Sequence, residues 1–217
     1  MESVTHQFPH RRSTVRALDN VSAEIPPGDF TAVVGPSGSG KSTLLLSLGG
    51  MLRPTSGAVY WNGDRVYDLA PNARARLRRK TVGFLFQTFN LVPYLTAEEN
   101  VQVPLFLAGA AVSLQRSRAR ELLSRVGLGD RIDHKPSELS IGQQQRVALA
   151  RVLSNDPQVI LADEPTGNLD PKTGGEVISF LEELNREGRT IVMVTHDPRA
   201  AERATRRLVL EEGRIRE

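Results

Sequence analysis

The feature that most constrains the fold of this chain is a glycine-rich octapeptide, GPSGSGKS, at residues 35–42. It follows an apolar run at residues 30–34, which predicts a buried strand, and leads into an apolar segment at residues 42–48, which predicts a helix. The form G-x-x-x-x-G-K-[ST] in that context predicts a loop whose backbone N–H groups surround phosphate oxygens. The predicted nucleotide-binding residues are Gly35, Pro36, Ser37, Gly38, Ser39, Gly40, Lys41, Ser42 and Thr43.

Two residues of this motif and two acidic residues downstream predict a catalytic centre. Lys41 is expected to reach the β- and γ-phosphates of a nucleoside triphosphate, and the hydroxyl of Ser42 to coordinate Mg²⁺. The apolar run at residues 159–162 predicts another strand, and Asp163 and Glu164 follow it directly. We expect Asp163 to hold the Mg²⁺ ion, directly or through water, and Glu164 to be the general base for an attacking water. Because the sequence has no N-K-x-D-type guanine-reading motif, adenine is the favoured base.

Composition narrows the class of protein further. The 217 residues suit one large domain, and hydrophobic and charged fractions of 39% and 24% are ordinary for a globular chain. The absence of cysteine excludes a disulfide scaffold, a thiol nucleophile and a cysteine-based zinc site. A formal net charge of +3 over this length is too weak a field to favour nucleic acid binding. With no apolar run near the ~20 residues of a membrane span and no signal peptide, the chain is expected to be cytoplasmic.

The predicted elements alternate between strands and helices, which indicates an α/β fold with a P-loop (RecA-like) core. Before the glycine-rich loop, runs at residues 3–7 and 21–25 predict an N-terminal antiparallel β subdomain. After it, Asn62-Gly63 closes the strand-like run 57–61 with a hairpin signal. The other strands are apolar on both faces, as in a parallel sheet covered by helices, and are expected at residues 30–34, 82–86, 159–162 and 190–194.

An inserted helical subdomain is predicted within this core. Thr96 with Glu99, and Ser140 with Gln143, have the spacing of capping boxes and predict two helix starts. Between them, residues 113–126 predict a helix. The expected apolar face of that helix comprises Leu114, Leu122, Leu123 and Val126. We therefore expect one domain over residues 1–217, consisting of a core (residues 1–87 and 156–217) and a helical subdomain (about residues 88–155).

Further short motifs give the chain a resemblance to the ATP-binding cassette (ABC) ATPases that covers nearly its whole length. LSIGQ at residues 139–143, followed by QQRVALAR, resembles the family signature, which is usually LSGGQ. Gln87 in GFLFQ is similar to the Q-loop glutamine, and His196 in VTHD is similar to the switch histidine. Asn168-Leu169-Asp170 resembles the D-loop, and Phe8 stands where the family has an aromatic residue that stacks on adenine.

The resemblance implies a role for each of these residues. Gln87 would contact the metal ion or the attacking water, and His196 would contact the γ-phosphate as a further catalytic residue. The residues facing the ATP of a second protomer would be Ser140, Gly142, Gln143 and Asp170. A homodimer would therefore hold two ATP molecules with Mg²⁺. The one departure is Ile141 in place of the first signature glycine, which is harmless if that position is helical and damaging if it needs a positive φ.

Within the family, residues 83–105 are most similar to the branch that contains LolD, MacB and FtsE. That resemblance implies a four-span membrane permease subunit with a large extracytoplasmic domain, driven in a mechanotransmission mode, and no nucleic acid partner. The chain would then be peripheral on the inner face of the cell membrane. Because it stops at Glu217, we expect a separate ATPase subunit that powers release of lipoproteins or export of macrolides or peptides. The alternative is an FtsE-like signalling ATPase that drives a cell-division or cell-wall regulator without transport.

An apolar cluster follows the Q-loop glutamine and comprises Phe89, Leu91, Val92 and Tyr94. We expect it to line a groove for a coupling helix of the partner, because the family places this loop against the membrane subunit. Ordinary packing within the helical subdomain is the competing interpretation.

Overall fold

The fold begins with paired strands and then alternates strands and helices, in a computed structural model that describes residues 1–10 and 13–216. The strands are β1 (Glu2–His10), β2 (Ser13–Val21), β3 (Phe30–Val34), β4 (Ser56–Ala58), β5 (Tyr60–Trp61), β6 (Asp64–Arg65), β7 (Val82–Leu85), β8 (Val159–Asp163), β9 (Thr190–Val194), β10 (Arg206–Glu211) and β11 (Arg214–Arg216). The helices are α1 (Lys41–Leu48), α2 (Pro71–Thr81), α3 (Ala97–Leu107), α4 (Val112–Arg125), α5 (Ile141–Val152), α6 (Pro171–Arg186) and α7 (Pro198–Glu202).

The central sheet has six strands in the order β11-β10-β3-β9-β8-β7. The strands from β10 to β7 are parallel, and β11 pairs antiparallel with β10 at one edge. β3 and β9 coincide with the predicted runs, and β7 and β8 each differ from theirs by one residue at the end. Alternate residues of β9 enter different hydrophobic clusters, Ile191 and Met193 on one face and Val192 and Val194 on the other. Both faces of the sheet are therefore covered, as apolar parallel strands require.

The N-terminal antiparallel sheet that the sequence predicts is confirmed, and it has three strands in the order β2-β1-β4. The predicted strand at residues 21–25 is wrong, because β2 ends at Val21, where that strand was expected to begin. Pro26 and Pro27 cannot donate hydrogen bonds to a ladder, so a strand is not favoured just before them. The polar residues of β2 conceal its strand pattern, although its Leu18 is fully buried against the core. The predicted hairpin at Asn62-Gly63 is confirmed by the pairing of β5 with β6.

Helices α3, α4 and α5 lie between β7 and β8 in the chain, within residues 88–155, which we call the helical region. Both predicted capping boxes are confirmed at the starts of α3 and α5. Helix α4 starts and ends one residue earlier than predicted. Leu122 and Leu123 are buried on it, but Leu114 is 55% exposed, so that part of the predicted apolar face is wrong. Leu114 lies in the first turn of α4, where Gln115 is the buried residue and donates a hydrogen bond to the Ala110 carbonyl.

The helical region packs directly onto the central sheet. Buried residues of α3, α4 and α5 belong to the same hydrophobic cluster as Ala32 of β3, Ile160 of β8 and Met193 of β9. Throughout residues 1–10 and 13–216, no helix has the length and apolar character needed to cross a bilayer.

Candidate nucleotide-binding site

The predicted catalytic residues come from the carboxyl ends of four neighbouring parallel strands. In sheet order, β3 leads into the glycine-rich loop, His196 follows β9, Glu164 follows β8 and Gln87 follows β7. Because parallel strands end at the same edge of a sheet, these segments meet at one place. They line a cavity of about 430 Å³, which we call the P-loop cavity. Its lining residues are Ala17, Ser37, Gly38, Gly40, Lys41, Ser42, Thr43, Gln87, Glu164, Val194 and His196.

The glycine-rich loop depends on a backbone conformation that only glycine adopts freely. Gly40 precedes α1 and has φ 101°, in the left-handed region. A Cβ atom at this position would lie 2.1 Å from the carbonyl oxygen of Ala17 on β2. The strand β2 therefore closes against the loop so tightly that a side chain at position 40 is excluded.

Lys41 folds back over the loop rather than extending into solvent. Its Nζ atom donates hydrogen bonds to the carbonyl oxygens of Gly35, at 2.8 Å, and Pro36, at 2.9 Å. The residue is only 8% exposed, although Lys41 also lines the P-loop cavity. A cation held in this way can neutralise phosphate charge at the first turn of α1, where the helix N-terminus also favours an anion.

Ser42 and Asp163 provide adjacent oxygen ligands. The hydroxyl of Ser42 donates a hydrogen bond to Oδ1 of Asp163 at 3.1 Å, across 121 positions of sequence. Burial raises the pKa of the Asp163 carboxyl, and the nearby Glu164 acts in the same direction. The Ser42 hydrogen bond and the charge of Lys41 oppose that rise. A buried carboxylate whose charge is incompletely compensated has a strong preference for a cation.

A carboxylate, a hydroxyl and the nearby amide of Gln87 form a donor set that fits Mg²⁺, a hard cation that prefers oxygen ligands. Ser42 and Asp163 already lie within hydrogen-bond distance of each other, and Gln87 lines the same cavity as Ser42. The residues predicted to hold Mg²⁺ therefore fit the ion, and their ligand roles stay predictions.

Glu164 and His196 form a pair at the opening of the cavity. Nδ1 of His196 lies 2.9 Å from Oε2 of Glu164, and the same oxygen accepts a hydrogen bond from the His196 backbone at 3.3 Å. Glu164 has φ 48°, an unusual value for a residue with a side chain. Its backbone N–H donates to the carbonyl of Val194 on β9 at 2.9 Å. The carboxylate is thus held at the end of the sheet beside a histidine, as a general base and its orienting partner require.

Gln87 is connected to the segment that contains the predicted D-loop. The Asn168 side-chain amide donates a hydrogen bond to the Gln87 carbonyl at 3.1 Å. Two and three residues further on, Phe89 and Asn90 both have positive φ, and their carbonyls accept hydrogen bonds from Arg151 of α5. The loop after β7 is therefore held both by the segment after β8 and by the end of α5.

The signature residues form the N-terminus of α5. Ser140 is the N-cap, and its hydroxyl accepts a hydrogen bond from the Gln143 backbone N–H at 3.2 Å, while Gln143 Oε1 accepts from the Ser140 backbone N–H at 2.9 Å. Ile141 is the first helical residue, is 56% exposed and is not among the residues with positive φ. Its position is therefore the helical one that tolerates a branched side chain. Gly142 faces α6, where a Cβ atom would lie 2.9 Å from the methyl carbon of Thr173.

These residues line a second cavity, of about 540 Å³, which we call the signature cavity. Its lining residues are Gly127, Leu128, Asp130, Arg131, Ser140, Ile141, Gly142, Gln143, Arg146, Asp170 and Thr173. Asp170 is the N-cap of α6, and hydrogen bonds from the Thr173 side chain and backbone hold the pKa of its carboxyl below the usual range. Ser140, Gly142, Gln143 and Asp170 are thus brought together, but in a different cavity from the P-loop residues.

Four residues predicted to bind nucleotide do not line the P-loop cavity in the described part of the chain. Gly35 and Pro36 contribute carbonyls to Lys41, and Ser39 is buried with a hydroxyl that has no hydrogen-bond partner among the described residues. Phe8 is 40% exposed, meets the ring of His6 edge-on at 4.5 Å and pairs with Val15 of β2, two residues before Ala17 of the cavity. Its adenine-stacking role stays a prediction.

Sequence reasoning did not name several lining residues as site residues. Ala17 and Val194 reach the P-loop cavity through strand pairing, and Arg146 and Thr173 reach the signature cavity from the sides of helices. Val194 is the first residue of the VTHD motif and Arg146 lies in the run that follows the signature, so these two offered a signal in the sequence, whereas Ala17 and Thr173 belong to no motif.

The fold and the P-loop cavity together define a P-loop nucleoside triphosphatase. A family profile described as ABC transporter matches residues 18–167, a range that includes the glycine-rich loop, the signature and the acidic pair. The chain therefore belongs to the ABC transporter family, within which it is an ATP-binding, ATPase cassette.

The proteins of similar sequence differ in length, so the chain covers a different share of each. The macrolide export ATP-binding/permease protein MacB of Hyphomonas neptunium is 49% identical over 215 residues, which are 99% of this chain and 33% of that protein. An uncharacterized ABC transporter ATP-binding protein of Thermotoga maritima is 49% identical over 201 residues, which are 93% of this chain and 86% of that protein. The chain thus spans about a third of the length of its MacB relatives and most of the Thermotoga protein.

Solved structures of ABC cassettes have the same fold. A dimeric ATP-binding cassette in a post-hydrolysis state, bound to ADP and Pi, superposes with a TM-score of 0.93 at 42% identity and covers 100% of this chain and 95% of that one. CbiO1 of Clostridium perfringens, described as part of the cbiONQ transporter complex, superposes with a TM-score of 0.87 at 30% identity, covering 100% and 85%.

Proposed function

We propose that this chain binds Mg-ATP in the P-loop cavity, closes against a second copy and hydrolyses the ATP to drive a membrane permease. The proposal rests on the group of side chains that line one cavity, which are Lys41, Ser42, Gln87, Glu164 and His196. Asp163 accepts a hydrogen bond from Ser42 of this group. These groups provide a phosphate-binding cation, metal ligands and a general base in one place.

In the proposed reaction, Lys41 and the N-terminus of α1 neutralise the phosphate charge. Ser42, Asp163 and Gln87 would hold Mg²⁺, which when bound shields the charge that develops on the transferred phosphoryl group. Oε2 of Glu164 accepts a proton from the attacking water while the water oxygen forms a bond to the γ-phosphorus. At the same time the bond breaks between the γ-phosphorus and the oxygen that joins it to the β-phosphate. His196, which lies 2.9 Å from Glu164, orients that carboxylate and contacts the γ-phosphate.

The role proposed for the signature cavity requires a second protomer. Ser140, Gly142 and Gln143 surround the N-terminus of α5, whose free backbone N–H groups favour an anion. Because they lie in a different cavity from Lys41, they would reach a γ-phosphate bound by the partner rather than their own. Support comes from one similar cassette, two solved structures of which are described as dimeric.

The direct test is Glu164→Gln, which keeps the shape of the side chain and removes the proton acceptor. We expect turnover to fall by about 100-fold or more, with ATP binding retained. The variant should then accumulate as an ATP-bound dimer in size-exclusion chromatography with excess Mg-ATP. Glu24→Gln, a variant at a glutamate remote from the cavity, is the matched control and should turn over like the wild type. A monomeric Glu164→Gln protein that still binds ATP would contradict the dimer proposal.

We propose that the permease contacts the helical region. This differs from the groove expected from the sequence, to which Phe89 and Leu91 were also assigned. Phe89 and Leu91 pack against the main hydrophobic cluster, so their contribution is to internal packing. Tyr94 is instead 74% exposed, and the helical region also exposes Phe106, by 69%, and Val112, by 63%. Contiguous exposed apolar side chains are typical of an interaction surface, and we propose that these three contribute to one.

The partner is proposed to be a four-span permease with a large extracytoplasmic domain, driven by mechanotransmission, and the chain to be held by it at the inner face of the membrane. Support comes from the MacB relatives, whose name combines ATP-binding and permease functions. Affinity purification of tagged Glu164→Gln from membranes in Mg-ATP tests the partner. Recovery of such a permease, lost in the Tyr94→Ala variant, is the expected result. Recovery of a many-span permease would overturn the choice of partner and leave the ATPase proposal standing.

A further inference from the structure

We propose that Gln145 is a positioning residue that links the signature helix to the general base, by holding the carbonyl of Pro165 next to Glu164. The inference rests on the proposed role of Glu164. It adds a route within one chain by which the position of α5 at the signature cavity affects hydrolysis in the P-loop cavity.

Gln145 has no exposed surface and lines neither of the two cavities in the described part of the chain. It lies on α5, and its Nε2 atom donates a hydrogen bond to the carbonyl oxygen of Pro165 at 2.9 Å. Its Oε1 atom is buried without a hydrogen-bond partner among the described residues. A buried amide with an unsatisfied acceptor is unfavourable for stability. The hydrogen bond that its Nε2 atom donates is therefore the better explanation for a glutamine at this buried position.

The contact falls at a strained position of the segment 164–169 after β8, which we call the catalytic loop. Glu164 has φ 48°, and a residue with a side chain keeps such a conformation only where its surroundings hold it. Two backbone hydrogen bonds do so, from Glu164 N–H to Val194 and from Gly167 N–H to Glu164. Pro165 has no N–H, so its carbonyl is the only backbone group of that residue that can be held. Gln145 is the side chain that holds it.

Helix α5 therefore connects the two cavities. Its N-cap Ser140 and its first-turn residue Gly142 line the signature cavity, and Gln145 follows about 7.5 Å beyond Ser140 and about 4.5 Å beyond Gly142 along the helix axis. The other side of the link is Glu164, which lines the P-loop cavity. A helix is stiff over this length, so a displacement of the signature by a partner's phosphate moves the Pro165 carbonyl and with it the backbone of Glu164.

The decisive variant is Gln145→Met, which keeps the length and volume of the side chain and removes the donor. The matched control is Gln144→Met, because Gln144 Nε2 donates to the carbonyls of Pro136 and Leu139 and makes no hydrogen bond to the catalytic loop among the described residues. We expect Gln145→Met to lower kcat by about 10- to 100-fold with the ATP dissociation constant within about twofold of wild type. The control should keep kcat within about threefold, since it removes hydrogen bonds on the same helix that do not reach Glu164.

A second measurement separates positioning from packing. In the Glu164→Gln background the carboxylate is already absent, so adding Gln145→Met should lower the residual turnover by less than about twofold. Hydrogen exchange at the Gly167 amide should be faster in Gln145→Met and unchanged in Gln144→Met. If Gln145→Met cannot be purified, Gln145→Leu takes its place in each measurement.

Equal losses of kcat in both single variants, or a full additive loss in the Glu164→Gln background, would overturn the inference. So would faster Gly167 exchange without loss of kcat. A wild-type protein with no ATPase activity would instead contradict the proposed function, so the two failures are distinguishable.

Discussion

The P-loop cavity and the signature cavity are built in opposite ways. The first lies at the ends of four hydrogen-bonded strands and depends on a left-handed glycine whose Cβ would touch a neighbouring backbone. The second is formed by the N-termini of α5 and α6, each capped by a short polar side chain, with an exposed Ile141 between. One site is fixed by backbone geometry and the other by helix ends. Substitutions should therefore be tolerated far less in the first than in the second.

The largest contrast is expected between Gly40→Ala and Gly142→Ala. At position 40 a methyl group meets the backbone oxygen of Ala17 at 2.1 Å and disfavours φ 101°, so we expect ATP affinity to fall about 100-fold, or about 2.7 kcal/mol. At position 142 it meets a side-chain methyl carbon of Thr173 at 2.9 Å, which can move, so a loss of about 1 kcal/mol in dimer closure is expected. Fluorescent-nucleotide titration and ATP-dependent dimerisation measure the two effects. Equal losses of ATP affinity in Gly40→Ala and Gly142→Ala would contradict the proposed difference between the two cavities.

Removing a carboxylate charge should have opposite effects on stability in the two sites. Burial raises the pKa of Asp163, so the folded state binds its proton more tightly than the unfolded state and loses stability as pH rises through that range. Asp163→Asn should therefore raise the Tm of the nucleotide-free protein at neutral pH by a small amount, and the gain should vanish at low pH.

Hydrogen bonds from Thr173 lower the pKa of Asp170, so its charge stabilises the folded state above the ordinary aspartate pKa, and this contribution is lost as pH falls. Asp170→Asn should therefore lower the Tm at neutral pH and approach wild type in acid. Thermal melts of both variants from neutral to acidic pH give the comparison, and shifts of the same sign would contradict it.

The smallest effect is expected from Ile141→Gly, which restores the common form of the signature. Ile141 is helical and 56% exposed, so the wider range of backbone angles that glycine allows is not used at this position. We expect a loss of helix stability of about 0.5 kcal/mol and a change in kcat below about twofold. A large rise in kcat would mean that the isoleucine obstructs the partner's nucleotide. Steady-state ATPase assays over a range of protein concentration measure this.

Sequence predicted the P-loop cavity better than its surroundings. The glycine-rich loop, the strands β3 and β9 and the capping boxes of α3 and α5 follow from local patterns, and each was found within a residue of its predicted place. Strand β2 was misplaced because its pairing with β1, rather than its own hydrophobicity, makes it a strand.

Contacts between distant segments could not be predicted. The approach of Ala17 to Gly40, of Thr173 to Gly142 and of Gln145 to Pro165 each depends on how two elements pack in three dimensions. The exposure of Leu114 has the same origin, because in the first turn of α4 it is the neighbouring Gln115 that is buried. The hydrophobic pattern of a single sequence indicates a helix, but it does not show which residues of that helix the neighbouring elements cover.

Lys41 holds its ammonium group against two carbonyls of its own loop. Ordering a free lysine side chain opposes binding by about 2 kcal/mol of rotamer entropy. Because contacts within the loop order these torsions, part of that entropy loss belongs to folding rather than to the binding of a phosphate. Nucleotide exchange can then proceed as an exchange of hydrogen-bond partners on an ordered side chain.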